Sequence, residues 1–124
     1  VVASKVENRC GLYAVEDNVE AHLRYQKKID FKGNWDFCAK KEDTRDQIEI
    51  LGSQGQITFS TFAFEAIVLE NKKGKKEFHF NKPVHVQKQL IVQVVKQLQG
   101  MDTCVSNAQS AMESSRLMEK IIYG

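Results

Sequence analysis

The sequence lacks most of the features that assign a function directly. It has a single proline, and it contains no G-x-S-x-G, no H-E-x-x-H and no P-loop. No apolar run approaches the roughly 18 residues that a membrane-spanning helix needs, and no signal peptide is visible. The motifs of α/β-hydrolases, zinc proteases and nucleoside triphosphatases are therefore all missing.

Glycine is present at seven positions, yet none of them forms a G-x-G-x-x-G motif. That motif cradles the pyrophosphate of a dinucleotide at the start of a helix. We therefore expect no cofactor-binding residue in this chain. The search for catalytic residues is equally negative, and no catalytic residue is assigned.

Charge is close to balance, with a formal net charge of +2 over 124 residues. Nucleic-acid-binding domains are usually much more basic, so the balance argues against a nucleic-acid partner. The densest basic run, residues 72–76, has glycine at its centre and lies between two strand-like segments. We interpret it as a solvated hairpin tip in preference to a phosphate-binding patch.

The three cysteines, Cys10, Cys38 and Cys104, are odd in number and far apart. No C-x-x-C pair and no Cys/His cluster has the spacing of a zinc site, so no metal ligand is expected. The simplest interpretation is a reducing compartment, and hence a cytoplasmic protein. The chain opens on Val-Val-Ala without Met, inside a strand-like segment, and we expect it to be a fragment whose export signal could have been lost.

Alternation of apolar and polar residues dominates the first two thirds of the chain and predicts strands. The predicted strands cover 18–26, 29–37, 47–51 and 56–62, with weaker ones near 67–70 and 77–80. Short turns at 26–28, 52–55 and 71–76 favour antiparallel pairing, because parallel strands need a long crossover.

After Pro83 the apolar period changes to that of a helix, and Gly100 ends the first helix. A second helix is predicted to open at Ser106, with Gln109 completing a capping box, and its methionines are interpreted as core packing. Strands followed by helices predict an α+β fold, a mostly antiparallel open sheet of five or six strands with two C-terminal helices packed on one face. Residues 1–124 form a single domain in this interpretation.

Two helices cover one face of such a sheet and leave the other face to solvent or to a partner. A solvated surface and a subunit interface are both compatible with the polar pattern, since interfaces need not be more apolar than ordinary surface. The residues of this face are Glu20, His22, Arg24, Lys32, Asn34, Asp36, Glu49, Thr58 and Ser60.

Two weaker candidates come from local motifs. His85 near the start of the first helix could line a pocket, although capping or surface packing is the commoner role. Gly52-Ser53-Gln54-Gly55 has the GxxG pattern of a KH-type RNA-binding loop, but its flanks alternate as strands, whereas a KH loop joins two helices. A stand-alone binding module, KH-like or a protein-interaction sheet, is therefore the alternative function.

Three stretches together resemble the C-terminal domain of the Gfo/Idh/MocA oxidoreductases. They are Gly-Leu-Tyr-Ala-Val-Glu-Asp at 11–17 with Gly-Asn-Trp-Asp-Phe at 33–37, the segment 46–60, and the segment from 85–87 through the helix to 104–106 and 110–111. The resemblance covers essentially the whole chain. It implies a fold like the C-terminal domain of glyceraldehyde-3-phosphate dehydrogenase, preceded in the full-length protein by a Rossmann domain that is absent from this chain.

The same resemblance implies the function. The chain would be the substrate-side and oligomerisation domain of an NAD- or NADP-dependent dehydrogenase acting on a sugar, polyol or related hydroxyl compound. It would form a homodimer through the open sheet face, bind no membrane, and be inactive alone, because the family's catalytic Lys and Asp/His pair lie upstream of Val1. Substrate contacts are expected at Arg9 and Tyr13, and more speculatively at Trp35 and His85; for Trp35, a core aromatic under the helices is the better interpretation.

Overall fold

The computed structural model describes residues 1–26 and 28–124. They divide into two compact units, one of Val1–Lys41 with Val92–Gly124 and one of Glu42–Ile91. The described elements are two antiparallel sheets, a short 3-10 helix at Lys41–Asp43 and two α-helices. The α+β class predicted from the sequence is confirmed.

The first unit contains a three-stranded antiparallel sheet in the order β1-β2-β3. Its strands are β1 Ala3–Glu7, β2 Asn18–Tyr25 and β3 Ile29–Asp36. Opposed residues include Val19 with Val6 on one side and Trp35 on the other. Because side chains alternate across a strand, this register puts the apolar residues of β2 on one face and its charged residues on the other.

The second unit contains a four-stranded antiparallel sheet in chain order. Its strands are β4 Ile48–Gly52, β5 Gly55–Phe59, β6 Ile67–Asn71 and β7 Gly74–Phe78. The register aligns Ile50, Ile57 and Leu69 in one row across the sheet. The apolar face of this sheet, called here the second apolar face, consists of Ile48, Ile50, Ile57, Phe59, Ile67, Leu69 and Phe78.

The expectation of one open sheet with five or six strands is wrong for the described residues, since seven strands form two separate sheets. The polar face predicted for one sheet is divided accordingly, with Glu20 to Asp36 on the first sheet and Glu49 and Thr58 on the second. Alternation fixes which side chains share a face but carries no information on which strands pair.

Two hairpin predictions are corrected by the register. β7 begins at Gly74, three residues before the predicted strand, because the turn at Lys72-Lys73 has only two residues. The GxxG segment is also a two-residue hairpin turn, with Gly52 opposite Gly55, so it lacks the helix-to-helix geometry of a KH loop. The predicted turn at 26–28 contains Lys27, which lies outside the described residues.

The helices are α1 Lys88–Leu98 and α2 Ala108–Tyr123. Gly100 follows α1 with a φ of 71°, a conformation that glycine adopts without strain. The α2 N-cap is Asn107 and not Ser106, because the Asn107 side-chain oxygen accepts a hydrogen bond from the Ser110 N–H at 3.0 Å. A sequence pattern with a capping residue at two adjacent positions does not decide between them.

The core lies in the first unit, where α2 packs on the apolar face of the three-stranded sheet. Ile121 is buried against Val19 and Ala21, and Val6, Leu23 and Ile122 are partly buried around them. The interpretation of the methionines as core residues is wrong for Met112 and Met118, which are both exposed. No residue of α1 is buried, so its apolar stripe does not add to this core.

Candidate functional site

The polar face of the three-stranded sheet carries charges of both signs in a compact array. The register places Glu20 opposite Asn34, His22 opposite Lys32, and Arg24 opposite Asp30. Because α2 packs on the other face, these side chains remain open to solvent. The array, called here the ionic face, consists of Lys5, Glu7, Arg9, Glu20, His22, Arg24, Asp30, Lys32, Asn34 and Asp36.

Arg9 stands at one end of the ionic face, in the loop between β1 and β2. Its Nε and Nη2 donate to Glu7 Oε2 at 2.9 and 2.8 Å, and its guanidinium lies 3.7 Å from Glu20 and 3.8 Å from Asp36. The hydrogen bond with Glu7 raises the pKa of Arg9, while hydrogen bonds from Lys5 and then Arg9 lower the pKa of Glu7. Arg9 is therefore held by carboxylates of its own chain.

Asp30 organises the other end of the ionic face. Its Oδ1 lies 2.9 Å from His22 Nε2 and accepts a hydrogen bond from Arg24 Nε at 2.8 Å. The contact with His22, followed by that with Arg24, lowers the pKa of the Asp30 carboxyl. A histidine and an arginine on one carboxylate form a polar cluster that can bind polar groups.

A disulfide joins Cys10 to Cys38, with their Cα atoms 6.0 Å apart. It ties the β1–β2 loop to the residues just after β3. The third cysteine, Cys104, is free and buried. Cys10 and Cys38 are therefore not reduced in this structure, whereas the sequence led us to expect reduced cysteines; the reducing compartment and the cytoplasmic location stay predictions.

Asp17 lies beside the disulfide and is almost wholly buried. Its Oδ1 accepts the backbone N–H of Arg9 at 2.7 Å, and its Oδ2 accepts that of Cys10 at 2.8 Å. A carboxylate oxygen and the two sulfurs of Cys10 and Cys38 all lie within 4.8 Å of one another. These three residue types are metal ligands in proteins, and no sequence spacing indicated that they meet.

The predicted substrate-binding residues do not form one site in the first unit. Arg9 and Tyr13 belong to the same loop, where the Tyr13 carbonyl accepts a hydrogen bond from the Asn8 amide at 2.6 Å. Trp35 projects from the opposite face of the sheet, 42% exposed and near Phe31. It lies on the helix-covered face, as the core interpretation expected, but it is not buried.

His85 belongs to the second unit, just before α1, and its carbonyl accepts the Lys88 N–H at 3.2 Å. Its role as a substrate contact stays a prediction. In the first unit, a shallow depression of about 450 Å³ lies between the start of β1 and the end of α2. None of the four predicted substrate-binding residues lines it.

No helix within the described residues combines the length and the apolar character needed to cross a bilayer.

Comparison with known proteins gives one informative match. The chain is similar to a protein of Formosa agariphila described as "Oxidoreductase P35", with 29% identity over 79 residues. The match covers 63% of this chain and 23% of the relative, so the chain corresponds to about a quarter of that protein. No protein-family model matches the chain, and no solved structure matches it significantly. The likeness indicates a relationship to an oxidoreductase.

Proposed function

We propose that the chain is the substrate-side and oligomerisation domain of an NAD- or NADP-dependent oxidoreductase. Its relative is named an oxidoreductase and is much longer than the matched segment, which is what a domain of a larger enzyme would give. The chain has no G-x-G-x-x-G of its own, so a separate Rossmann domain would bind the cofactor. The substrate class follows the sequence resemblance: a sugar, a polyol or a related hydroxyl compound.

The main support for an oligomerisation role comes from the charges of the ionic face. A two-fold interface applies the same surface to itself, so the surface must be self-complementary. The ionic face supports this proposal, because it carries charges of both signs, with four basic and four acidic residues on one side of the sheet. The basic residues are Lys5, Arg9, Arg24 and Lys32, and the acidic residues are Glu7, Glu20, Asp30 and Asp36.

We place the substrate contacts in the β1–β2 loop, at the end of the ionic face where Arg9 lies. Arg9 and Tyr13 lie in the β1–β2 loop, and Tyr13 is 51% exposed. Within the full-length enzyme the Tyr13 hydroxyl would donate to a hydroxyl group of a substrate held by another domain. Arg9 would do so by exchanging one of its contacts with Glu7, Glu20 or Asp36. Trp35 and His85 are weaker candidates, since they lie on the other sheet face and in the other unit.

A protein-interaction sheet is a second candidate, and the second apolar face favours it. None of its seven residues is buried in the structure. The KH-like alternative has no such support, because the GxxG segment is a hairpin turn.

Analytical ultracentrifugation of the chain at several concentrations tests the dimer. We expect a dimer that weakens as salt rises, because ionic contacts between exposed charges are screened. Lys32→Glu, which adds a negative charge to the ionic face, should weaken association by about tenfold or more. The matched control Lys73→Glu, on the hairpin tip of the other sheet, should leave it unchanged.

A strict monomer at the highest concentration would remove the dimer from the proposal. A Lys73→Glu effect equal to that of Lys32→Glu would move the interface away from the ionic face. Saturable binding of NADP to the isolated chain, measured by calorimetry, would contradict the domain assignment itself.

A further inference from the structure

We propose that Cys10, Cys38 and Asp17 form a zinc site that becomes available when the disulfide between the two cysteines is reduced. This inference does not depend on the oxidoreductase role. It rests on three ligand-bearing side chains that the β1–β2 loop and the end of β3 bring together.

The positions of the three residues are compatible with one cation. The two sulfurs are joined in the disulfide, with their Cα atoms 6.0 Å apart, and a carboxylate oxygen of Asp17 lies within 4.8 Å of both sulfurs. In a tetrahedral zinc site with Zn–S bonds of about 2.3 Å, neighbouring sulfur atoms lie about 3.8 Å apart. Once the sulfur–sulfur bond is broken, small side-chain rotations are enough to place both sulfurs and one carboxylate oxygen around a metal ion.

The backbone around the site is held by hydrogen bonds that do not involve the disulfide. The Asp17 N–H donates to the Glu7 carbonyl at 3.0 Å, and the Asp17 carbonyl accepts the Phe37 N–H at 2.8 Å. The Cys38 N–H donates to Asp36 Oδ1 at 2.9 Å. Reduction therefore leaves both cysteine-bearing segments anchored, so that the ligands remain close together.

Asp17 is prepared for the role of a ligand. Its side chain is 1% exposed, and each carboxylate oxygen already accepts one backbone N–H. Each oxygen retains a further lone pair, and hydrogen bonds of this kind orient a ligating carboxylate. Cys10 is exposed, which gives a metal ion and a water molecule as fourth ligand a route to the site.

Electrostatics explains why the reduced site would take up a cation. Binding a metal ion through both sulfurs needs two thiolates beside the buried Asp17 carboxylate, and three such negative charges repel one another strongly away from water. A divalent cation neutralises two of the three charges and so favours loss of both thiol protons. The proposed cluster would therefore alternate between an oxidised, covalently closed form and a reduced, metal-bound form.

The conversion balances with a dithiol or phosphine as reductant. The reductant supplies two electrons, two protons are taken up, and the sulfur–sulfur bond breaks to give two thiols. A dithiol leaves as a cyclic disulfide, and a phosphine leaves as its oxide with the oxygen of water. Zn²⁺ then displaces one proton from each sulfur, because the thiolate is the metal ligand.

The test uses the whole chain, reduced with a phosphine that is then removed, and Co²⁺ as a spectroscopic probe for the zinc site. We expect a sulfur-to-cobalt charge-transfer band that saturates at one Co²⁺ per chain and disappears when Zn²⁺ is added. The disulfide-bonded chain should show no such band. Cys10→Ser and Cys38→Ser should each weaken binding by at least about 100-fold, since loss of a ligand costs more than loss of its hydrogen-bond partner.

Two further variants test whether Asp17 is a ligand and whether Cys104 is not. Asp17→Asn keeps the shape of the side chain and should weaken Zn²⁺ binding, with circular dichroism confirming that the sheet is retained. Cys104→Ser removes the third cysteine and should leave the band unchanged. The proposal is overturned if the reduced chain gives no cobalt–thiolate band, if the oxidised chain binds equally well, or if Cys104→Ser abolishes binding while Cys10→Ser does not.

Discussion

The two sheets of this protein are built from the same alternating pattern, yet among the described residues only the first sheet has a buried core. In the first unit, α2 covers the apolar face of the three-stranded sheet and buries Val19, Ala21 and Ile121. In the second unit, the four strands align seven apolar residues on one face, and none of them is buried. An apolar sheet face therefore becomes a core only where another element covers it.

The two sheets also differ in how the charged residues on their polar faces are paired. The ionic face of the first sheet links its charges into pairs centred on Arg9 and Asp30. On the second sheet, the charged contacts among the described residues are local, between Glu77 and its near neighbours in sequence Lys75 and His79. The first sheet is thus organised on both faces, by a helix on one side and by charge pairing on the other.

The largest effect is expected from the contact that distinguishes the two sheets. Ile121→Ala removes a buried side chain and should lower the free energy of unfolding of the first unit by about 2–5 kcal/mol. The matched change Ile50→Ala, at a site 54% exposed on the second apolar face, should cost far less. Urea unfolding is followed by the fluorescence of Trp35, the single tryptophan, which lies on β3 of the first unit, and by circular dichroism, which also reports the strands of the second unit. Equal losses for the two variants would mean that the second apolar face is covered in solution.

An intermediate effect is expected from adding a side chain at Gly55, where β5 and β6 of the second sheet approach each other closely. Gly55 has a φ of 154°, and a Cβ there would collide with the carbonyl oxygen of Glu70 and approach Asn71 Cβ to 2.8 Å. Gly55→Ala should cost about 1–3 kcal/mol and increase hydrogen exchange of the β5 and β6 amides. Gly74→Ala, where φ is 120° and the space is open, carries strain without the collision and serves as the control. If both variants exchange alike, close strand packing at Gly55 is not what holds β5 to β6.

The smallest effect is expected from the ionic face. The folded-state pKa of Asp30 is lowered by His22 and Arg24, so its ionised form stabilises the folded state above the ordinary carboxyl pKa. That contribution is lost as pH falls below about 4 and through the folded-state value. Asp30→Asn should therefore make the unfolding midpoint of the first unit less dependent on pH in this range.

Asp102→Asn is the control for Asp30, because the Asp102 carboxylate accepts the backbone N–H of the next residue and belongs to no ion pair of the ionic face. A wild-type midpoint that does not change between pH 6 and pH 3 would show that the pairs around Asp30 do not stabilise the first sheet.

Much of the local structure follows from the sequence for identifiable reasons. The alternation of Val19, Ala21 and Leu23 with Glu20 and His22 predicts β2 and its two faces. The end of α1 before Gly100 follows from glycine's access to positive φ. The start of β7 was misplaced because the turn before it has only two residues. The N-cap of α2 was misplaced because two adjacent residues can both cap a helix.

The candidate site was less predictable. Arg9 and Tyr13 do share a loop, as their closeness in sequence requires, but Trp35 and His85 do not join them. The Cys10–Asp17–Cys38 cluster had no sequence signal beyond the cysteine count. Its members are separated by up to 28 residues, and they meet only because β2 and β3 pair in one register.

The sequence by itself determined the α+β class, the antiparallel hairpins and the side of each strand that is apolar, because these depend on short-range periodicity and turn chemistry. Only the tertiary structure decided that the strands form two sheets, that α2 and not α1 contributes to the core of the described residues, and that Cys10 pairs with Cys38. Those outcomes depend on contacts between residues far apart in the chain, and local pattern carries no information about which distant segments will meet.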